Sequence, residues 1–358
     1  MTTDGRPGRA LVVGVTGISG GNLAERLLSG GWDVAGICRN PQGLDRRVTP
    51  VAADLLDGDA VAAAVRGTTP THVFFTTWSR CATEAENCEI NGRMLRNLLD
   101  AVAAEGTVRH VALVTGLKHY LGPFEAYAKV QPDTPFSEEQ ARLPYENFYY
   151  VQEDILFAAS ERDGFTWTVH RPHTLIGWAL GNAMNMGVTL AVYGAICRET
   201  GQPFRYPGSR EQWEAVTDVT DARLLAEHLV WASTTPAAEN TALNIVNGDV
   251  FRWRRLWPRL AAALDVEPIG FDGEPAPLEQ QMSDAAEIWP EIVRKHGLHD
   301  TDVHRLASWW HTDADLGRTI ETFTDMGRSR RLGFDGVRDS ESSFVDLFAR
   351  LREERIVP

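Results

Sequence analysis

Short runs of apolar and β-branched residues alternate with helix-length segments through the first half of the chain. The strand-like runs are RALVVG (9–14), DVAGIC (33–38), TPVAAD (49–54), HVFFTT (72–77) and RHVALVTG (109–116). Between them lie stretches such as GNLAERLLSGG and EAENCEINGRMLRNLLDAVAAEG. In the second of these, Ile90, Met94, Leu95, Leu98 and Leu99 recur near a 3.6-residue period, as expected of a helix laid on a sheet. This alternation predicts βαβ units feeding a parallel sheet. TWTVHRP (166–172) reads as a sixth strand, and TALNIVNGD (241–249) as one more strand returning to the sheet. The remainder is rich in Trp, Gly and Pro and mainly helical. The predicted fold is therefore α/β: a Rossmann-type, doubly wound parallel sheet over residues 1–173, with a smaller, mainly helical substrate-binding lobe over 174–358 that interleaves with it.

Composition narrows the classes of function. A chain of 358 residues with 43% apolar residues can bury a large core. Its formal net charge of −14 argues against gripping nucleic acid or anionic lipid, both of which need clustered positive charge. No run approaches the roughly 20 apolar residues that span a bilayer, and the polar start MTTDGRPGR lacks the apolar segment of a secretory signal. Cys38, Cys81, Cys88 and Cys197 show no CxxC pairing, which predicts reduced thiols, no metal centre and a cytoplasmic setting.

The candidate chemistry begins at VVGVTGISGGNLAE (12–25), where Gly14, Gly17 and Gly20 follow a strand and open a helix. That context predicts a pyrophosphate-binding turn. The second strand ends GICRNP, with Arg39 where a site preferring NAD would carry an acid; this predicts NADPH as cofactor. Asp54, closing the third strand, either accepts from the adenine amino group or caps the next helix.

Tyr150 has the look of a reductase tyrosine, but the lysine usually found four residues later is replaced by Asp154. Lys118, just past the fifth strand in VTGLKHYLGPFE, can supply the cation from another segment, since ligands lie at the carboxyl ends of strands in open α/β sheets. Each residue read alone is equally well a solvated lysine and a packed core tyrosine. His170, within a strand, reads as a satisfied core histidine.

The motifs GVTGISG, TTWSRCATEAENCEINGRMLRNLLDAV, TGLKHYLGPFE, ENFYYVQEDIL and LNIVNGDVFRW together resemble the progesterone 5β-reductase and iridoid synthase-like enzymes, a divergent branch of the extended short-chain dehydrogenases. The resemblance covers nearly the whole chain. It implies a catalytic pair of Lys118 and the second tyrosine of FYYxxED, Tyr150. It also implies a dinucleotide site that includes Thr16, Gly17, Ile18, Arg39, Asp54, Leu55, Thr77, Trp78, Thr115 and the loop Pro172, His173, Thr174 and Leu175. Trp78, Phe124 and Phe344 are implied as pocket aromatics; Tyr149 is assigned to the pocket, with the core as its alternative. The activity so implied is NADPH-dependent reduction of an activated C=C bond in a small apolar enone or enal, in an enzyme whose relatives are often homodimers. A carbonyl reductase or alcohol dehydrogenase is the alternative enzyme, and a non-catalytic NADP-sensing protein the alternative outside enzymes. Two departures stand out: Arg39-Asn40 where plant members often carry two arginines, and HRPHTLIG where HRPGxIFG is common, which puts His173 beside the pocket.

Overall fold

Alternate residues of the first strand settle the layering. In a computed structural model describing residues 8–123 and 132–358, strand β1 (Arg9–Val13) sends Leu11 and Val13 to one face and Ala10 and Val12 to the other. Successive side chains of a strand point to opposite faces, so a strand buried on both needs apolar residues at nearly every position.

The chain continues through α1 (Ile18–Ser29), β2 (Asp33–Cys38), β3 (Thr49–Ala52), α2 (Gly58–Val65), β4 (His72–Phe75), α3 (Glu84–Ala103), β5 (His110–Val114), α4 (Lys118–Leu121), α5 (Phe148–Asp163) and β6 (Thr166–Pro172). The predicted return strand is present as Thr241–Ile245, pairing in parallel with β6. The sheet has seven strands, all parallel, in the order 241–245, β6, β5, β4, β1, β2, β3. The winding reverses between β1 and β4, and a crevice at the carboxyl ends of such strands is where ligands bind in open α/β sheets.

Helices α2, α3 and α5 cover one face, with Val61, Leu95, Leu98 and Leu156 buried against Leu11, Val73, Leu113 and Val169. The other face is covered by α1 and the helix Ala222–Thr234, through Leu23, Leu27, Leu224, Leu225 and Leu229. Helix α3 opens on a capping box between Thr83 and Glu86, which satisfies two amide donors left over at the helix start. A second core lies in the C-terminal half, where α6 (Met186–Thr200) and the helices Trp253–Leu264, Ala285–His296 and Ser340–Glu353 bury Leu190, Trp257, Trp289 and Phe348.

A line of buried polar side chains crosses the sheet. His110 meets Thr166 at 2.8 Å and Thr168 at 3.0 Å. Thr168 meets His170 at 2.9 Å, His170 meets His228 at 2.9 Å, and His228 meets Ser329 at 3.0 Å. His170 is thus the satisfied core histidine its sequence position predicts. Among the described residues all four cysteines are free thiols and no helix is long and apolar enough to cross a membrane.

Candidate active site

The crevice floor is made by the β1–α1 turn. Gly14 has φ +83°, a left-handed conformation that favours glycine, and a β-carbon there would lie 2.6 Å from that of Thr77. A β-carbon on Gly20 would collide with the carbonyl of Gly14, so this glycine lets α1 approach the turn. Gly17 is the N-cap of α1, with no side-chain cap. Its place in the triplet is the one that leaves first-turn amides and the positive end of the helix dipole available to a pyrophosphate.

The remaining cofactor positions surround this cradle. Thr16 is exposed, Ile18 buried, and Arg39 exposed directly beyond β2. The Asn40 side chain accepts from the Gln42 amide at 3.0 Å and so shapes the turn. The cap of α2 is Asp57, not Asp54; the Asp54 carboxylate accepts from the Leu56 amide at 3.0 Å and stays exposed. Leu55 is buried, and its carbonyl accepts from Asn97. Thr77 and Trp78 follow the end of β4, and the Thr115 amide ties β5 to the His170 carbonyl of β6 at 2.8 Å. Pro172 closes β6, with Thr174 and Leu175 beyond it. These residues fit a nicotinamide dinucleotide: a turn that admits phosphate, a helix start free of side-chain capping, and a guanidinium at the ribose end of β2 with no carboxylate beside it.

Lys118 opens α4 and is 6% exposed. Its ammonium lies 2.6 Å from Glu84 Oε2 and 4.8 Å from the centre of the Phe148 ring. Phe148 stacks on Trp78 with ring centres 5.2 Å apart, and the Tyr149 ring lies 4.3 Å from it.

The two tyrosines of α5 face different surroundings, which corrects the assignment of Tyr150 as donor. The Tyr150 hydroxyl donates to the His119 carbonyl at 2.6 Å and accepts from the Leu143 amide at 3.0 Å. A phenol has one proton to give, and here the backbone holds it. Burial also pushes the Tyr150 hydroxyl above its ordinary pKa, against the activation a proton donor needs. The ring lies under the Arg142 guanidinium at 4.9 Å, and Arg142 in turn pairs with Asp154. Tyr149 is half-buried, and its hydroxyl oxygen would be 3.3 Å from a β-carbon on Gly116, the same distance as the Pro172 carbonyl. It therefore stands where β5 and β6 end, at the carboxyl edge of the sheet. One helical turn after Tyr149 comes Glu153, not a lysine. Burial raises the Glu153 carboxyl, but the His119 imidazole and Arg171 guanidinium outweigh it and hold the group down at about 2.

A family model described as the PRISE-like Rossmann-fold domain matches residues 56–358. The chain belongs to the PRISE-like Rossmann-fold family. It is 41% identical to a protein of Nepeta cataria named (S)-8-oxocitronellyl enol synthase ISY1, across 98% of this chain and 93% of that one. It is 40% identical, with the same coverage, to the 3-oxo-Delta(4,5)-steroid 5-beta-reductase of Arabidopsis thaliana. Among solved structures, a short-chain dehydrogenase/reductase superfamily protein from Agrobacterium tumefaciens with bound NAD aligns with a TM-score of 0.66 at 16% identity, covering 97% of this chain and 98% of that one. The NAD+ complex of WbmH from Bordetella bronchiseptica gives 0.64 at 15% identity, covering 97% and 99%. These structural likenesses speak to the fold.

In this PRISE-like chain the departure at His173 has a definite structure. The His173 amide donates to Thr220 Oγ1 at 3.1 Å. Its Nδ1 lies 2.6 Å from Asp218, and Arg318 donates to its Nε2 at 2.9 Å. The next residue, Thr174, donates to Asp315 at 2.9 Å. The loop after β6 is thereby tied to the C-terminal lobe by buried polar groups. Phe344 is corrected: it is fully buried in the core of that lobe against Trp253 and Phe348, because its helix turns this face inward. Phe124 lies outside the described residues. Glu84, Gly116 and Asn147 are site residues that reading the sequence missed. Of these, only Asn147 carried a signal, as a helix-capping residue directly before an aromatic run.

Proposed function

We propose that this PRISE-like protein is an NADPH-dependent reductase of activated C=C bonds in small apolar enones or enals, with Tyr149 as proton donor and Lys118 as its electrostatic partner. The observation that carries the reading is the environment of the Tyr149 hydroxyl beside Gly116 and Pro172 at the sheet's carboxyl edge, with a buried lysine one aromatic ring away. The names of the relatives agree in chemistry: one forms an enol, the other reduces a 3-oxo-Δ4,5 steroid.

When bound, the nicotinamide would supply a hydride to the β-carbon of the substrate. The π electrons move toward the carbonyl, where negative charge collects on oxygen. The Tyr149 O–H is the donor to that oxygen, so protonation there yields the enol. Lys118 favours the phenolate that remains. A donor aimed at developing charge helps the transition state more than the ground state, which is what speeds the step. Trp78, backed by the buried Phe148 ring, supplies flat apolar surface beside the reacting atoms.

NADPH is preferred to NADH on this reading because Arg39 stands at the end of β2 with no acid to hold a free 2′-hydroxyl. The protein works in the cytoplasm, in keeping with four unpaired thiols.

Incubation with NADPH and a panel of an acyclic enal, a cyclic enone and a Δ4-3-ketosteroid tests the proposal, with cofactor absorbance followed and products identified. A saturated carbonyl product, or its enol, is expected. An allylic alcohol, or no NADPH consumption with any of the panel, refutes it.

A further inference from the structure

A tyrosine and lysine on one helix are held in register by the helix itself; here they come from different segments, and something else must fix their separation. We infer that Glu84 is the positioning residue that does so, an inference that rests on the Lys118–Tyr149 reading above. Glu84 begins α3 and its side chain is only 10% exposed. One carboxylate oxygen, Oε2, accepts from the Lys118 ammonium at 2.6 Å and from Asn87 Nδ2 at 3.1 Å. The other, Oε1, accepts from the backbone amide of Phe148 at 2.9 Å. A single carboxylate thus joins the lysine's charged end to the backbone amide of the residue before Tyr149.

A second link runs in parallel. Asn147 donates from Nδ2 to the Lys118 carbonyl at 2.7 Å and accepts at Oδ1 from the Tyr149 amide at 3.0 Å. Lys118 is gripped at its backbone by Asn147 and at its head by Glu84, and both residues hold first-turn amides of α5. Glu84 is itself braced: Asn87 also accepts from the Cys81 amide at 2.8 Å, and Asn91 clamps Ser79. The strand-end segment that carries Trp78 is therefore fixed to the same helix.

Charge completes the case. A buried ammonium is costly unless a partner is well placed. Glu84, 2.6 Å away and itself almost buried, is that partner, and it aims Lys118. A simpler role, as a cap for the Phe148 amide, needs only an acceptor oxygen, and Glu84→Gln keeps one.

The test is a comparison of E84Q, K118M and the double variant with wild type, measuring kcat and KM for NADPH. E84Q is expected to lower kcat by about 10- to 100-fold through misplacement of the lysine, with KM for NADPH changed by less than about twofold. In the K118M background, E84Q should lower kcat no further. E84Q matching wild type in kcat overturns the inference, as does an equal E84Q loss with or without Lys118. If K118M turns over like wild type, the reading of Lys118 itself fails; if K118M is slow while E84Q is normal, only the role of Glu84 fails. Should E84Q not fold, the double variant, which leaves no buried charge unpaired, is compared with K118M: equal rates support the inference and a further loss overturns it.

Discussion

The histidine line across the sheet makes stability fall steeply in mild acid. Its hydrogen bonds have one direction. Ser329 donates to the Asn244 carbonyl, so it accepts from His228 Nε2–H; His228 Nδ1 then accepts from His170, and His170 Nε2 accepts from Thr168. Thr168 in turn accepts from His110 Nε2–H, while His110 Nδ1 lies 2.8 Å from the Thr166 hydroxyl, which also reaches the Arg109 carbonyl at 3.2 Å. His170 and His228 each give one proton and take one, so both must be neutral; a second N–H would face a donor. Burial agrees, depressing His110 and His228 to about 3 and His170 well below its ordinary value, while His72 falls to about 4. The folded pKa lies below the unfolded one near 6.5, so below pH 6.5 the unfolded chain binds protons that the folded chain refuses. Stability is therefore lost as pH falls, at about 1.4 kcal/mol per pH unit per histidine, or about 2 kcal/mol each and about 8 kcal/mol for four by pH 5. With an unfolding entropy of about 2.1 cal/mol/K per residue over 358 residues, that lowers Tm by about 10 °C. Thermal melts followed by circular dichroism between pH 8 and 5 at fixed ionic strength measure this. His110→Gln, which keeps a donor toward Thr168 but cannot titrate, should make the slope shallower. A flat Tm over this range, or an unchanged slope in His110→Gln, would refute the reasoning.

Four further outcomes are expected. Tyr149→Phe should lower kcat by about 100-fold or more. Tyr150→Phe should leave kcat within about threefold and instead cost about 1–3 kcal/mol of stability, since it strands the His119 carbonyl and Leu143 amide; steady-state rates and urea melts of both variants check the division of roles. Arg39→Ala should raise KM for NADPH by about 10-fold while leaving that for NADH nearly unchanged, measured with one substrate at saturation. Phe344→Ala should destabilise by about 3–5 kcal/mol through the cavity it leaves, with KM for the enone unaltered, as chemical denaturation and kinetics together will show.

The strands were legible because each is a short apolar run bounded by turn residues. DVAGIC and TWTVHRP coincide with β2 and β6. The phosphate turn was legible for a related reason: strand, spaced glycines and helix follow one another in the chain. The donor was not. Helix α5 buries Phe148, Tyr150, Gln152, Glu153, Leu156 and Ala159, so it is covered on more than one side and its periodicity cannot say which of two adjacent tyrosines faces the crevice. Successive helical positions differ by about 100° in direction, and here that angle separates a hydroxyl spent on backbone from one at the sheet edge. Phe344 misled similarly, because an aromatic residue on a C-terminal helix serves a core and a pocket equally well. Glu84 was invisible for another reason: 34 residues separate it from Lys118, and acid at the start of a helix is ordinary in its own right.

The strand at 241–245 has a bearing on engineering. It borrows its hydrogen-bonding partner from β6, some 70 positions earlier, and buries Leu243 and Ile245. A fragment ending near residue 173 would leave β6 as a raw, sticky border open to self-association. Chimaeras that graft a relative's C-terminal half to alter substrate choice should therefore keep 222–245 from the recipient, exchanging only the stretches on either side.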